Sequence, residues 1–98
     1  MSLRIDPERN EIRALKSVAQ WRGKEVLEVG CGNGRLSLRL ARLGANIDAI
    51  DPDPKLIRTA KRTLPEKLAG RVQYRVGSAE RLKYPDETYD LVVFSWVL

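Results

Sequence analysis

Val26–Ser37 reads V-L-E-V-G-C-G-N-G-R-L-S, an apolar run that breaks into three alternating glycines. Val26, Leu27 and Val29 have the make-up of a short buried strand. Gly30, Gly32 and Gly34 follow as a turn with no Cβ atoms in the way, so a ligand can come close to the main chain. Leu36, Leu40 and Leu43 then begin a helical stripe. Strand, glycine loop and helix in that order put backbone N–H groups and a helix N-terminus at the strand's carboxyl end. Such an arrangement receives a polar ligand.

The glycine spacing narrows the ligand. A dinucleotide fingerprint needs G-x-G-x-x-G, its third glycine packing helix on strand. Here the run is G-x-G-x-G, and Arg35 stands where that third glycine would fall. An acid, Glu28, sits two residues before the first glycine, inside the apolar strand. A carboxylate there is costly unless it meets a donor or a cation. A ligand with an ammonium and a sulfonium suits it, whereas a pyrophosphate is repelled.

The segment E-V-G-C-G-N-G, Glu28–Gly34, resembles the first motif, E/D-x-G-x-G-x-G, of the class I S-adenosylmethionine-dependent methyltransferases. The remainder of the chain agrees with an α/β reading. Asp6-Pro7 caps and opens a helix over Ile12, Leu15, Val18 and Ala19 that ends near Gly23. Lys24–Val29 is the first strand, Arg35–Leu43 a helix stopped by Gly44, and Asn46–Ile50 a second strand reaching Asp51. Asp53-Pro54 repeats the cap-plus-proline device and opens a helix with Leu56, Ile57, Ala60 and Leu64 inward, closed by Pro65 and Gly70. Val72, Tyr74 and Val76 alternate with Gln73 and Arg75, as on an edge strand with one wet face. Gly77–Thr88 is a polar loop, and Tyr89–Val97 a continuous apolar strand of the kind buried on both faces.

Strands alternating with helices give a parallel, three-layer α/β sheet. The resemblance makes it Rossmann-like with strand order 3-2-1-4. Phe94–Leu98 stops on apolar residues without a cap or turn, so residues 1–98 read as a single partial domain truncated after strand 4. That strand's edge is then expected to be open and to drive self-association.

Ninety-eight residues suit one small domain, and 43% apolar with 32% charged is ordinary for a globular chain. No apolar run approaches the roughly 18 residues of a membrane span. The charged stretch Met1–Arg13 has no apolar h-region, so it is not a signal peptide, and a cytoplasmic setting follows as the default. A single cysteine excludes an internal disulfide framework. With no histidine, the commonest general base and metal ligand is missing, so no metal site is expected. The net charge of +5 allows an anionic partner without demanding one.

The resemblance implies S-adenosylmethionine as cofactor, with S-adenosylhomocysteine as product, and it places the methionine end of that cofactor against Gly30, Cys31, Gly32 and Gly34. Glu28 either meets the ammonium indirectly or holds the loop through backbone N–H groups. Asp51, about 20 residues beyond the glycines, accepts the ribose hydroxyls, and Pro52 lies against the adenine. Gly77-Ser78-Ala79-Glu80 resembles the family's adenine segment, with Ser78 facing the exocyclic amine and the Ala79 N–H on a ring nitrogen. Many relatives carry aspartate at the position of Ser78. Tyr89-Asp90-Leu91-Val92 matches the family's entry to strand 4, where Asp90 is structural.

Ser95, near where methyl and acceptor meet, is expected to pack or touch backbone. Cys31 has no neighbouring base to raise its thiolate fraction and no Pro-Cys occurs in the chain, so it is read as a small residue suited to the loop rather than a nucleophile. Arg35, Arg39 and Arg42 on one helix, with Lys55, Arg58, Lys61 and Arg62 on the next, would share one side of the sheet. They leave nucleic acid open as a partner. No catalytic residue is assigned. The reading is methyl transfer by in-line displacement to a small-molecule acceptor. A non-catalytic cofactor-binding module, an RNA or protein methyltransferase and, more remotely, an NAD-dependent oxidoreductase stand as alternatives.

Overall fold

The computed structural model describes residues 2–4, 21–78 and 89–95. Five strands, β1 (Ser2–Arg4), β2 (Glu25–Val29), β3 (Asn46–Asp51), β4 (Val72–Val76) and β5 (Leu91–Phe94), form one sheet in the order β1-β5-β2-β3-β4. Every pairing is parallel. The four strands foreseen from the sequence therefore lie in the expected 3-2-1-4 order, as β4-β3-β2-β5.

β1 is the addition, and it corrects one expectation. Ser2, Leu3 and Arg4 pair with Val92, Val93 and Phe94, so the strand-4 edge is occupied over those residues rather than open. Self-association through a bare edge loses its premise there. The helix expected from Asp6 lies outside the described residues apart from its end, where Gly23 takes the left-handed backbone foreseen for it, at φ 75.

β2 lies between β5 and β3, and beyond its exposed first residue, Glu25, it is buried throughout, which is why Val26–Val29 is apolar apart from Glu28. Helix α1 (Arg35–Arg42) buries Leu36, Ser37, Leu40 and Ala41. Helix α2 (Pro54–Thr63) buries Ile57 and Ala60. Its start is the device read from sequence: the Asp53 carboxylate accepts from the Lys55 N–H at 2.8 Å with a proline in the first turn. Leu64 ends it in extended backbone because the following Pro65 disfavours the helical conformation. A short 3-10 turn, Glu66–Leu68, leads into β4.

Leu36, Leu40, Ile57 and Ala60 join Val26, Ile47, Ala49, Val72, Tyr74, Leu91 and Val93 in a single buried cluster, so both helices cover the same side of the sheet, as expected. Leu27, Val29 and Ile50 face the other side with Val92 and Phe94. β4 is the far edge strand and keeps its alternation over its first four residues, with Val72 and Tyr74 buried and Gln73 and Arg75 exposed, whereas Val76, expected on the inward face, is exposed at the strand's end. β5 is shorter than the sequence suggests. Val92 and Phe94 are only half-buried, and residues 96–98 are outside the described set. Asp90 docks the entry to β5 on β2: its carboxylate accepts from the Glu25 N–H at 2.8 Å, and its own N–H donates to the Glu25 carbonyl at 2.7 Å.

Candidate functional site

In a parallel sheet all strands point their carboxyl ends the same way, so the loops that follow them share one rim. Hydrogen bonds tie four of those ends together here. The Gly30 and Cys31 N–H groups, after β2, both donate to the Ile50 carbonyl of β3 at 2.9 Å. The Gly77 N–H, after β4, donates to the Asp51 carbonyl at 3.0 Å. The Ser95 hydroxyl, after β5, lies 3.0 Å from the Gly30 carbonyl. The glycine loop, Asp51, Gly77-Ser78 and Ser95 are thus brought to one place. Ala79 lies outside the described residues. Pro52 is exposed beside Asp51, and Ser78 is half-buried.

Asp51 is the hinge of the rim. One carboxylate oxygen accepts from the Gly32 N–H and the other from the Asp53 N–H, each at 2.9 Å. A carboxylate offers roughly four acceptor positions, so about two remain. Asp51 retains 8% exposure, enough for a ligand's hydroxyls to reach them. Next to it, Gly32 sits at φ +57 with nothing within 4 Å of where a Cβ would be. That gap is room for a ligand against bare main chain.

Gly34 serves a different purpose from the one expected. At φ +92 its missing Cβ would overlap the Tyr74 hydroxyl and come within 2.9 Å of the ring's Cζ. It is a glycine so that Tyr74 can pass beneath the start of α1, and its bare side faces the core rather than a ligand. The Tyr74 hydroxyl is buried there and makes no hydrogen bond with the described residues. Burial pushes its pKa up to about 12.

Glu28 is completely buried. The Ser37 hydroxyl donates to one of its oxygens at 2.6 Å, and the Ser95 hydroxyl lies 2.7 Å from the other. No backbone N–H reaches it among the described hydrogen bonds, so it does not hold the loop in the way expected. Ser95 has one proton for two acceptors, Glu28 and the Gly30 carbonyl. A protonated Glu28 resolves the count, because its own O–H donates to Ser95 and frees the serine proton for Gly30. The energetics agree. Burial, opposed by the two serine hydrogen bonds, raises the Glu28 pKa to about 7.

Glu28 therefore acts on the loop through Ser95. This makes stability depend on pH in a definite sense. The fold holds the Glu28 proton up to about pH 7, whereas the ordinary value is 4.5. Between those two values the native state binds more protons than the unfolded chain, so stability falls as pH rises through that window and levels off above it. The loss amounts to about 3 kcal/mol. Glu28→Gln reproduces the neutral network, with its carbonyl accepting from Ser37 and its amide donating to Ser95. Urea midpoints measured from pH 4.5 to 8 are expected to lose this slope in the variant, and an unchanged slope would refute the assignment.

Ser95 thus touches backbone, as read from sequence, but its hydroxyl turns inward. Cys31 is buried in the main core, its thiol 3.7 Å from the Gly32 carbonyl. Burial pushes the thiol pKa well up, reinforced by Glu28 once it ionises and by Asp51, so it stays a neutral thiol and is no nucleophile. Two residues of this cluster, Ser37 and Tyr74, were not singled out from sequence as site residues. The clue was available for Ser37, which stands on the inward face of α1 beside Leu40 and Ala41, where a lone hydroxyl implies a buried partner.

Comparison with known proteins accords with this geometry. Residues 26–98 match the profile of a family described as a methyltransferase domain. The chain belongs to that family. As a class I S-adenosylmethionine-dependent methyltransferase domain it is 44% identical over 78 residues to the mitochondrial ubiquinone biosynthesis O-methyltransferase of Schizosaccharomyces pombe, covering 78% of this chain and 28% of that one. It is 46% identical over 55 residues to the magnesium-protoporphyrin O-methyltransferase of Rhodobacter capsulatus, covering 56% of this chain and 25% of the relative. The crystal structure of magnesium protoporphyrin IX methyltransferase from Synechocystis with bound S-adenosylhomocysteine superposes with a TM-score of 0.72 at 27% identity, over 85% of this chain and 37% of that one. The methyltransferase domain described here thus spans between a quarter and two-fifths of the length of these relatives. The family match sets aside the NAD-dependent oxidoreductase. No helix among the described residues is long and apolar enough to cross a membrane.

Proposed function

We propose that this chain is the cofactor-binding part of an S-adenosylmethionine-dependent O-methyltransferase with a small-molecule acceptor. The observation that carries the reading is Asp51, held at the end of β3 against the glycine loop with acceptor positions to spare. Those positions suit the two ribose hydroxyls of the cofactor, and the open space at Gly32 suits its methionine end. Ser78, Ala79 and Pro52 are proposed around the adenine. Gly30 and Cys31 shape the loop from below, and Glu28 and Ser95 set the Gly30 carbonyl. The acceptor class is supported by the relatives, whose names are those of O-methyltransferases of ubiquinone biosynthesis and of magnesium-protoporphyrin.

When bound, the cofactor supplies an activated sulfonium methyl. The protein's share of the work is proximity and alignment. Asp51 fixes the ribose, the loop backbone fixes the methionine end, and the buried cluster keeps the loop in one conformation. Neither Asp51, committed to hydrogen bonds, nor Glu28, sealed in the core, is assigned the acceptor's proton.

Calorimetric titration of the chain with S-adenosylmethionine and S-adenosylhomocysteine tests the reading. One saturable site for each ligand is expected, with no competition from NADH. A chain that is folded by circular dichroism and binds neither ligand would overturn it. Methyl transfer to an aromatic hydroxyl by a chain completed to the relatives' length separates an enzyme from a module that only binds.

A further inference from the structure

The opposite rim of the sheet carries a second feature that the glycine loop does not explain. A cavity of about 360 Å³ lies there, lined by Arg22, Arg42, Lys67 and Arg71 around Gly44 and Leu68. These residues precede β2, end α1 and precede β4, so they stand at the amino ends of the strands. Asp51 is at the other end of β3, five residues along the strand from Asn46, about 17 Å. The cavity is therefore separate from the proposed cofactor site.

Its chemistry is one-sided. Four cationic side chains line it, and no acid does among the described residues. Helix α1 ends here, and its terminal carbonyls account for Arg42 in its last turn, while Arg71 donates from Nη1 to the carbonyl of Gly44, beyond that end, at 2.9 Å. That contact also orients the guanidinium and leaves its other N–H groups for a further partner. Arg22 and Lys67 belong to other segments, and the helix end does not account for them.

Gly44 holds the floor together. Its N–H donates to Ala41 and its carbonyl accepts from Gly23, both at 2.9 Å. At φ +98 its missing Cβ would come within 3.0 Å of the Arg22 backbone, so a side chain at 44 would push Arg22 away from the cavity. The cations are thus presented by a constrained backbone. Like charges gathered in one cavity repel, and a multivalent anion relieves that repulsion. Guanidinium groups match phosphate oxygens in geometry and charge.

We propose that this cavity binds a small molecule bearing a pyrophosphoryl group. Four cations more than offset the charge of two linked phosphates, whereas a single phosphate would leave them largely unmatched, and the volume is in the range of small-ligand sites, roughly 300–1,000 Å³.

The test uses inorganic pyrophosphate as probe, titrated calorimetrically into the 98-residue chain at fixed ionic strength. Saturable binding is expected, weakened at least about tenfold in the double variant Arg42→Ser/Lys67→Ser, because two of the four cations are removed. Both side chains are exposed, so the variant should fold, and unchanged circular dichroism checks this. Affinity for S-adenosylhomocysteine should stay within about twofold, the two rims being independent. Absence of saturable binding to the parent chain, or equal binding by the variant, would overturn the proposal. So would a single-stranded oligonucleotide that binds and is not displaced by pyrophosphate, since the basic surface would then serve a nucleic-acid backbone.

Discussion

Replacing Asp51 by alanine should weaken S-adenosylhomocysteine binding by about a hundredfold. Two ribose hydroxyls donating to a carboxylate are each worth about 1.5 kcal/mol or more, and every 1.4 kcal/mol is roughly tenfold. The same carboxylate closes the rim from within, accepting from the Gly32 and Asp53 N–H groups. Alanine leaves both donors without their acceptor, so a stability loss of about 1–3 kcal/mol should accompany the loss of affinity. Asp51→Asn separates the two effects. It keeps one acceptor oxygen and replaces the other with a donor group that repels an N–H, so it should lose about tenfold in affinity. Calorimetry on both variants, with urea unfolding alongside, measures this. Unaltered affinity in a folded Asp51→Ala chain would remove Asp51 from the ribose and leave it a structural tie.

Gly34→Ala should cost more stability than the same methyl added at Gly32. The backbone there is left-handed at φ +92, and the new Cβ would run into the Tyr74 ring. Strain of that backbone and overpacking of the ring together should cost on the order of 3 kcal/mol, or roughly 10–20 °C in Tm for a domain of this size. By contrast Gly32→Ala meets open space, so only its positive φ counts against it, about 1–2 kcal/mol.

Tyr74 supplies the control. Its hydroxyl is buried without a partner among the described residues, so Tyr74→Phe removes an uncompensated polar group and should leave stability unchanged or raised by about 1 kcal/mol. Combined with Gly34→Ala, it removes the atom of closest approach and should recover part of the loss. Thermal unfolding of the two single variants and the double variant gives the coupling directly. Simple additivity would mean that Gly34 is demanded by its φ alone and not by Tyr74.

The local grammar of the fold was legible in the chain. An apolar run, three glycines and a leucine stripe predicted β2, its loop and α1. Asp53-Pro54 predicted the start of α2 and its cap bond. The alternation over Val72–Val76 predicted an edge strand, and β4 is one. Asp51 was placed at the rim by its position after a strand and by its distance from the glycines. Apart from the spacing of Asp51, each of these signals lies within a turn of helix or a few residues of strand, where backbone preference and burial period act directly.

What the tertiary structure decided are the partners. Glu28 was legible as an odd acid in an apolar strand, but its meeting with Ser95, 67 positions away, depends on β5 lying beside β2 in a particular register. Gly34 reads as ligand space in the sequence, whereas in the fold Tyr74, on a strand that follows two helices, lies beneath it. Ser2–Arg4 is too short for any period to announce, and it becomes a strand only because β5 offers it an edge. The sequence by itself determined β2 to β5, α1 and α2, their order and the position of the rim. Only the packed sheet decided which polar groups face the ligand and which are sealed beneath it, because that choice is set by register between strands distant along the chain.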